Sequence, residues 1–478
     1  MTALLVNPPG LRPGRPGSFF ADQKRNLAPD QYATMPMEHL GLMSIVAYAR
    51  ACAVDVACVN GMVSDHASIE ETWQAMRAAV RGRPTLVGFS NIDSLHEVVE
   101  LAGRVRVHWD GVPVVLGNAM ATLNRERLLR DYDCIDFVVL GDGEQTFVDL
   151  ANALADGKPV DGVPSLAWRD ADGTMRANPP RLVDLDSLPP PSRDELPAVL
   201  GHGFSGAVYS TRGCPYRCTF CGTGAMSGLL GRDSYRSRSV ESVVDEIARL
   251  ARDFGLQHVS VIDDLFVSKH PVMQDRAALF ATEMLRRGRG VEFMIDARLD
   301  SIGDLDLYAH LYRAGLRRVF VGIETGSYEQ LVAYRKRSVR AGEDAAAKIV
   351  ALQDLGIEVV PGTIMFHPRV RPAELRETTR MLSVVAYKSP RKFLDRITAY
   401  PGTPLHHDYA AAGLLTQEWP IGRWEFPDPL LSELYDDVVR RIDFNSEISF
   451  EEAAAFFLDR VSEWEAAASA WPDAVTTP

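Results

Sequence analysis

Thr211-Arg-Gly-Cys-Pro-Tyr-Arg-Cys-Thr-Phe-Cys-Gly222 places Cys214, Cys218 and Cys221 in a C-x3-C-x2-C array, directly after the apolar run Ala207-Val-Tyr-Ser210. Thiolates hold iron–sulfur clusters, and a cubane normally takes four of them. Three closely spaced thiolates with no fourth nearby leave one iron open to another ligand. Gly213 and Gly222 permit close backbone approach, and Pro215 stops the strand from continuing. Two plainer readings compete. Zinc sites usually carry four ligands, or three with a His, in paired short spacings. Three unrelated core thiols would need no fixed spacing. Neither accounts for three cysteines packed this tightly as directly as a cluster does.

The bulk properties narrow the class. A chain of 478 residues with 46% hydrophobic content suggests several globular domains. Its formal net charge of −13 argues against a broad nucleic-acid surface, which needs clustered Lys and Arg. No run approaches the roughly 18 consecutive apolar residues of a membrane-spanning helix. Met1-Thr-Ala-Leu-Leu-Val6 lacks the basic start and long apolar core of a signal peptide. Cys52, Cys58 and Cys134 lie in apolar segments and read as small core residues, not as a disulfide framework. The expected compartment is the reducing cytoplasm.

Residues 1–160 alternate short apolar strands with helices, which predicts a parallel sheet covered on both faces. The predicted strands are 2–7, 54–59, 85–90, 112–116 and 135–140, with helices at 39–52, 68–81, 95–109 and 124–132. Open sheets of this Rossmann-like kind bind ligands beyond the strand C-termini. Asn7, Ser90, Gly117, Met120, Gly141, Gly143 and Glu144 fall there and are the candidate contacts. Residues 161–205 read as a linker: a small hairpin turning at Asp172-Gly173, then a proline-rich connector across the surface with no chemistry of its own.

From 206 to 405 the pattern gives six strand–helix units. Strands are expected at 207–211, 258–263, 291–297, 318–323, 358–365 and 392–399. Such alternation predicts a parallel α/β structure with its site at the strand C-termini. Asp263, Asp264, Arg298, Glu324, His367 and Tyr400 fall there. Each has a plain alternative. The two aspartates can cap a helix, Arg298 can bond Asp300, and His367 and Tyr400 can simply pack. Arg236 and Arg238 face either a cofactor or solvent. Residues 406–478 read as a helical substrate or lid region whose last residues, 473–478, fray.

The C-x3-C-x2-C array with Phe220 before its last cysteine resembles the radical S-adenosylmethionine (SAM) superfamily. That resemblance implies a partial (β/α)6 barrel and a [4Fe-4S] cluster on Cys214, Cys218 and Cys221, with SAM chelating the open iron. It also implies that Phe220, Asp263, Asp264, Arg298 and Glu324 serve SAM. Val115-Leu-Gly-Asn-Ala-Met-Ala-Thr122, Phe137-Val-Val-Leu-Gly-Asp-Gly-Glu144, His39-Leu-Gly-Leu42 and Val163-Pro-Ser-Leu-Ala-Trp-Arg-Asp170 resemble the cobalamin-binding domain attached to one branch of that superfamily. Two departures stand. No D-x-H-x-x-G occurs, and Met120 replaces the His of a common G-G-x-H-A-T pattern, so a domain that keeps the fold without the cofactor is the alternative.

The branch implies a cobalamin-dependent methyltransferase acting on an unactivated carbon of a small metabolite. Its route would run through a 5′-deoxyadenosyl radical and methylcobalamin, with flavodoxin or ferredoxin as reductant. His367 and Tyr400 are then the catalytic candidates, as substrate or cobalamin contacts. A radical cyclase, rearrangement, epimerase or dehydrogenase is the alternative chemistry. A non-catalytic iron–sulfur sensor is the alternative class.

Overall fold

The computed structural model describes residues 2–8, 38–63, 68–90, 95–231, 234–336, 343–443 and 447–470. The end at 473–478 that is expected to fray lies outside them. The described residues divide into two units, one comprising those up to 217 and 222–256, the other 218–221 and those from 257 onward.

The first unit is built on a seven-stranded sheet. Its strands β1 (Ala3–Asn7), β2 (Val56–Asn60), β3 (Val87–Phe89), β4 (Val114–Leu116) and β5 (Phe137–Val139) run parallel in the order 2-1-3-4-5. Every residue of β1 is buried, because helices cover both faces of a parallel sheet. They include α1 (Leu40–Ala51), α2 (Ile69–Ala79) and α3 (Leu95–His108). This order reverses direction between β1 and β3, which opens a crevice at the strand C-termini. Two short helices, α4 (Ala119–Leu123) and α5 (Arg125–Asp131), follow β4, and α6 (Glu144–Ala155) follows β5.

The predicted linker corrects in one respect. Its hairpin, β6 (Leu166–Arg169) and β7 (Met175–Ala177), adds antiparallel to β5 and extends the sheet. Leu166, Ala167 and Trp168 are apolar enough to bury against it, and β5 would otherwise leave its outer ladder unpaired. Val183, Leu185 and Leu188 are buried too, so the proline-rich segment packs rather than trailing over the surface. After α7 (Leu196–Gly201) come β8 (Gly206–Val208), β9 (Thr211–Arg212), α8 (Gly222–Leu230), β10 (Arg236–Ser237) and α9 (Val240–Phe254). β9 and β10 form an antiparallel ribbon with Arg212 opposite Arg236.

In the second unit β11 (His258–Val261), β12 (Glu292–Arg298), β13 (Leu316–Glu324) and β14 (Glu358–Thr363) pair in parallel, each next to the following one. The helices between them include α10 (Pro271–Arg287), α11 (Leu305–Arg313), α12 (Tyr328–Ala333) and α13 (Glu343–Asp354), and α14 (Pro372–Ser383) follows β14. Side chains alternate with the pleat. Val259, Val261, Phe293, Ile295, Val319 and Val321 are buried, and Phe293 meets Phe280 of α10 edge-on at 5.3 Å. The opposite face carries Met294, Asp296, Phe320 and Gly322, with Phe320 38% exposed.

The sixth predicted strand, 392–399, does not form. Pro390–Leu394 is a 3-10 turn, and only residues 395–397 run beside the fifth strand's end, through bonds of 2.9–3.0 Å between Asp395, Ile397 and Met365-Phe366. Helices α15 (Pro404–Ala411), α16 (Pro429–Asp443) and α17 (Phe450–Ala470) complete the unit. Phe366 and Phe393 pack with Phe426, Tyr435 and Phe457 in its aromatic core. The class is therefore α/β throughout, with a Rossmann-like first sheet and a parallel second one.

Candidate active site

Cys214 follows β9 after one residue, Gly213. Gly213 before it adopts φ +77°, and a Cβ there would collide with the Ser234 carbonyl, so only glycine fits. The Ser227 hydroxyl of α8 donates to the Cys214 carbonyl at 2.7 Å. A cavity of about 420 Å³ reaches Cys214 between Pro215, Arg217, Ser227, Gly231 and Ser234.

Cys218 and Cys221 lie in the other unit. The Cys221 amide donates to the Cys218 carbonyl at 3.2 Å, a tight turn. Phe220 between them meets Tyr334 edge-on at 5.1 Å. Burial pushes the Cys218 thiol up, Lys336 and Arg298 pull it down, and Glu324 opposes them. Burial is the largest of these effects, and the free thiol stands raised. None of the six cysteines forms a disulfide. No three His, Cys, Asp or Glu side chains among the described residues converge on one ion position. A cluster has no such requirement, since each thiolate binds its own iron. The donor set fits a cluster.

Glu324 ends β13 at φ +66°, a left-handed conformation that costs a branched-free side chain of the order of 1 kcal/mol. Its carboxylate pairs with buried Lys336, which also donates to the Gly322 carbonyl at 3.2 Å. Lys336 escaped the sequence reading because no motif marks an ion-pair partner beyond a short helix. Arg298 bonds Asp300 through Nε at 3.0 Å and Nη2 at 3.3 Å, the plainer of its two predicted roles, and both side chains are buried. Asp263 is buried and Asp264 exposed. Neither caps a helix in the structure, because α10 begins at Pro271 with His270 as its cap. They act together on Asp296 of β12. Burial first, then these two carboxylates, push Asp296 up to about 7. Asp296 sits two residues inside the end of β12, away from the strand-end positions that the sequence singles out.

His367 is engaged at both ring nitrogens. Nδ1 accepts from the Arg369 amide at 3.3 Å, and Nε2 lies 3.1 Å from Glu374, which also accepts from Arg371 at the start of α14. That arrangement braces a helix terminus. Tyr400 is half-buried, and its carbonyl receives the Thr403 hydroxyl at 2.7 Å as α15 starts.

At the first sheet's C-terminal edge, Asn7 donates to Asn60 at 2.9 Å and Ser90 lies 3.1 Å from His39 Nε2. His39 Nδ1 accepts the Leu42 amide, and burial lowers the ring's pKa, so Nε2 carries the proton toward Ser90. Nothing lies within 4 Å of the Cβ that Gly117 lacks. Met120 on α4 is half-buried, its sulfur 3.9 Å from the missing Cβ of Gly222. Small residues, open space and polar groups along this edge fit a large amide-rimmed ligand such as cobalamin.

Gly141, Gly143 and Glu144 have a different setting. Added Cβ atoms would meet Leu230 at 3.3 Å and Ile45 at 2.8 Å, so both glycines serve close packing. Glu144 is 1% exposed and accepts from Ser44 and Arg212, each at 2.6 Å. Asp142 accepts from Arg212 at 3.1 Å and from Arg236 at 2.5 Å. Burial alone would raise Asp142, but Arg236 and Arg212 hold it below the usual range. Arg238 pairs with buried Glu246 at 2.5 Å. Arg236 and Arg238, expected to face a cofactor or solvent, pair with buried carboxylates.

Comparison with known proteins accords with this geometry. Residues 208–382 match the Radical SAM superfamily and residues 32–151 the B12 binding domain. An uncharacterized methyltransferase of Pyrococcus horikoshii is 27% identical over 345 residues, 70% of this chain and 72% of that protein. Among solved structures, the cobalamin-dependent SAM radical enzyme OxsB with aqua-cobalamin bound superposes with a TM-score of 0.75 at 20% identity, over 93% of this chain and 67% of that one. The radical SAM methyltransferase TsrM from Kitasatospora setae gives 0.66 at 20% identity, over 88% and 79%. Likeness at that identity shows the fold.

Proposed function

We propose that this chain, a radical SAM enzyme with an N-terminal B12-binding domain, methylates an unactivated carbon of a small metabolite. The observation that supports the reading most directly is the C-x3-C-x2-C array within residues 208–382, which match the Radical SAM superfamily, behind residues 32–151, which match the B12 binding domain. When bound, the cluster, SAM and cobalamin supply electron transfer, a radical source and a methyl carrier.

The chain's own residues bind and orient. Cys214, Cys218 and Cys221 would hold the cluster, and Phe220, backed by Tyr334, fixes the turn between the last two. Glu324 and Arg298 would take the amino and carboxylate groups of SAM; each is held ready by a buried counter-charge, Lys336 and Asp300. Such pre-pairing fixes rotamers before the ligand arrives, which limits the ordering cost of binding. Asn7, Ser90, Gly117 and Met120 would border cobalamin. The substrate would lie on the second sheet's open face, where Phe320 and Met294 supply apolar surface and Asp296 a polar handle.

Met120 and the missing D-x-H-x-x-G leave one rival, a radical SAM reaction that does not use cobalamin. Anaerobically reconstituted protein, titrated with hydroxocobalamin and then assayed for SAM cleavage under reductant, separates the two. The proposal expects a bound corrinoid spectrum and 5′-deoxyadenosine. Cleavage without corrinoid binding would leave only the rival.

A further inference from the structure

We infer that Asp142 and Glu144 position the iron–sulfur cluster, acting through Arg212 on Cys214, and do not contact cobalamin. The inference rests on the cysteine array holding a cluster. Arg212 stands two residues before Cys214 on β9, and Arg236 stands directly opposite it on β10. Like charges facing each other across an antiparallel pair repel. Here both guanidiniums reach Asp142, and Arg212 also reaches Glu144 at 2.6 Å. Glu144 is itself fixed by Ser44 at 2.6 Å, and the Val183 amide donates to Asp142 at 3.0 Å. The side chains concerned are 20%, 19%, 7% and 2% exposed for Arg212, Arg236, Asp142 and Glu144, so little water is available to replace either carboxylate.

The ribbon that these carboxylates close delivers Gly213 and Cys214. Gly213 is wedged against Ser234, one residue ahead of the pair Tyr235-Arg236, and Cys214 is tied to α8 by Ser227. Opening the ribbon would therefore displace the first thiolate and leave the turn of Cys218 and Cys221 in place. A motif that reads as a cofactor turn becomes a clamp on a ligand some 70 residues downstream (214 minus 144).

The test compares wild type with Glu144→Gln, Asp142→Asn and the exchange Arg212→Glu with Glu144→Arg. After anaerobic reconstitution, iron per chain, the electron paramagnetic resonance of the reduced cluster with and without SAM, and hydroxocobalamin binding by absorbance are measured. Outer-shell partners of metal ligands typically contribute about tenfold or more in affinity. Both single variants should lose cluster affinity by about that factor and shift the resonance. Both should bind hydroxocobalamin as wild type does, and the exchange should recover iron. Wild-type iron content and resonance in the single variants would overturn the positioning role alone. So would loss of iron and corrinoid in equal proportion, which marks general unfolding. A wild type that takes up no cluster would overturn the cluster reading with it.

Discussion

Lys336 and Glu324 form a pair in which neither charge is easily replaced. Their side chains are 6% and 12% exposed. Removing one partner of a buried pair typically costs about 3–5 kcal/mol, because the other is left uncompensated. Lys336→Met should therefore lower the thermal midpoint and weaken SAM binding, both measurable by thermal denaturation with and without SAM. Asp296 gives a pH signature. Its folded pKa of about 7 stands above the unfolded value near 4, so the folded state holds a proton that the unfolded state has lost. Stability should fall as pH rises from about 4 to about 7 and flatten above; Asp296→Asn should reduce that slope in urea titrations at stepped pH. The cysteines were legible because their chemistry demands a fixed spacing. Lys336 and Asp296 were not, because each acts through a neighbour that folding alone supplies.

At the scale of elements, strands and helices of the parallel sheets could be read from apolar runs and turn residues. The failures share a cause. The hairpin at residues 166–177 is legible as a hairpin, but nothing local says that a sheet edge awaits it. The expected strand at 392–399 has strand-like residues, yet Pro390 and the preceding turn consume its first half. Gly326, two residues after Glu324, is explained by packing. A Cβ there would lie 2.5–2.7 Å from the backbone of Glu377 and Thr378, and the Gly326 amide donates to Thr378 at 2.9 Å. Gly326→Ala should push α14 away and destabilise by about 1–3 kcal/mol, seen as a lower urea midpoint with unchanged m-value.

For the whole molecule, β9, α8 and α9 belong to the same unit as Asp142 and Glu144. A chain shortened to begin at Gly206 would keep Arg212 and Arg236 but lose Asp142 and Glu144. It should express poorly and fail to retain iron, whereas a chain beginning at Thr2 should not. What the molecule does as a whole is tested by its products. Reconstituted, reduced protein supplied with cobalamin, a small-metabolite pool and methyl-deuterated SAM should form S-adenosylhomocysteine and 5′-deoxyadenosine in equal amounts, with the label in a new carbon–methyl bond. Abundant 5′-deoxyadenosine without S-adenosylhomocysteine or labelled product would contradict methyl transfer.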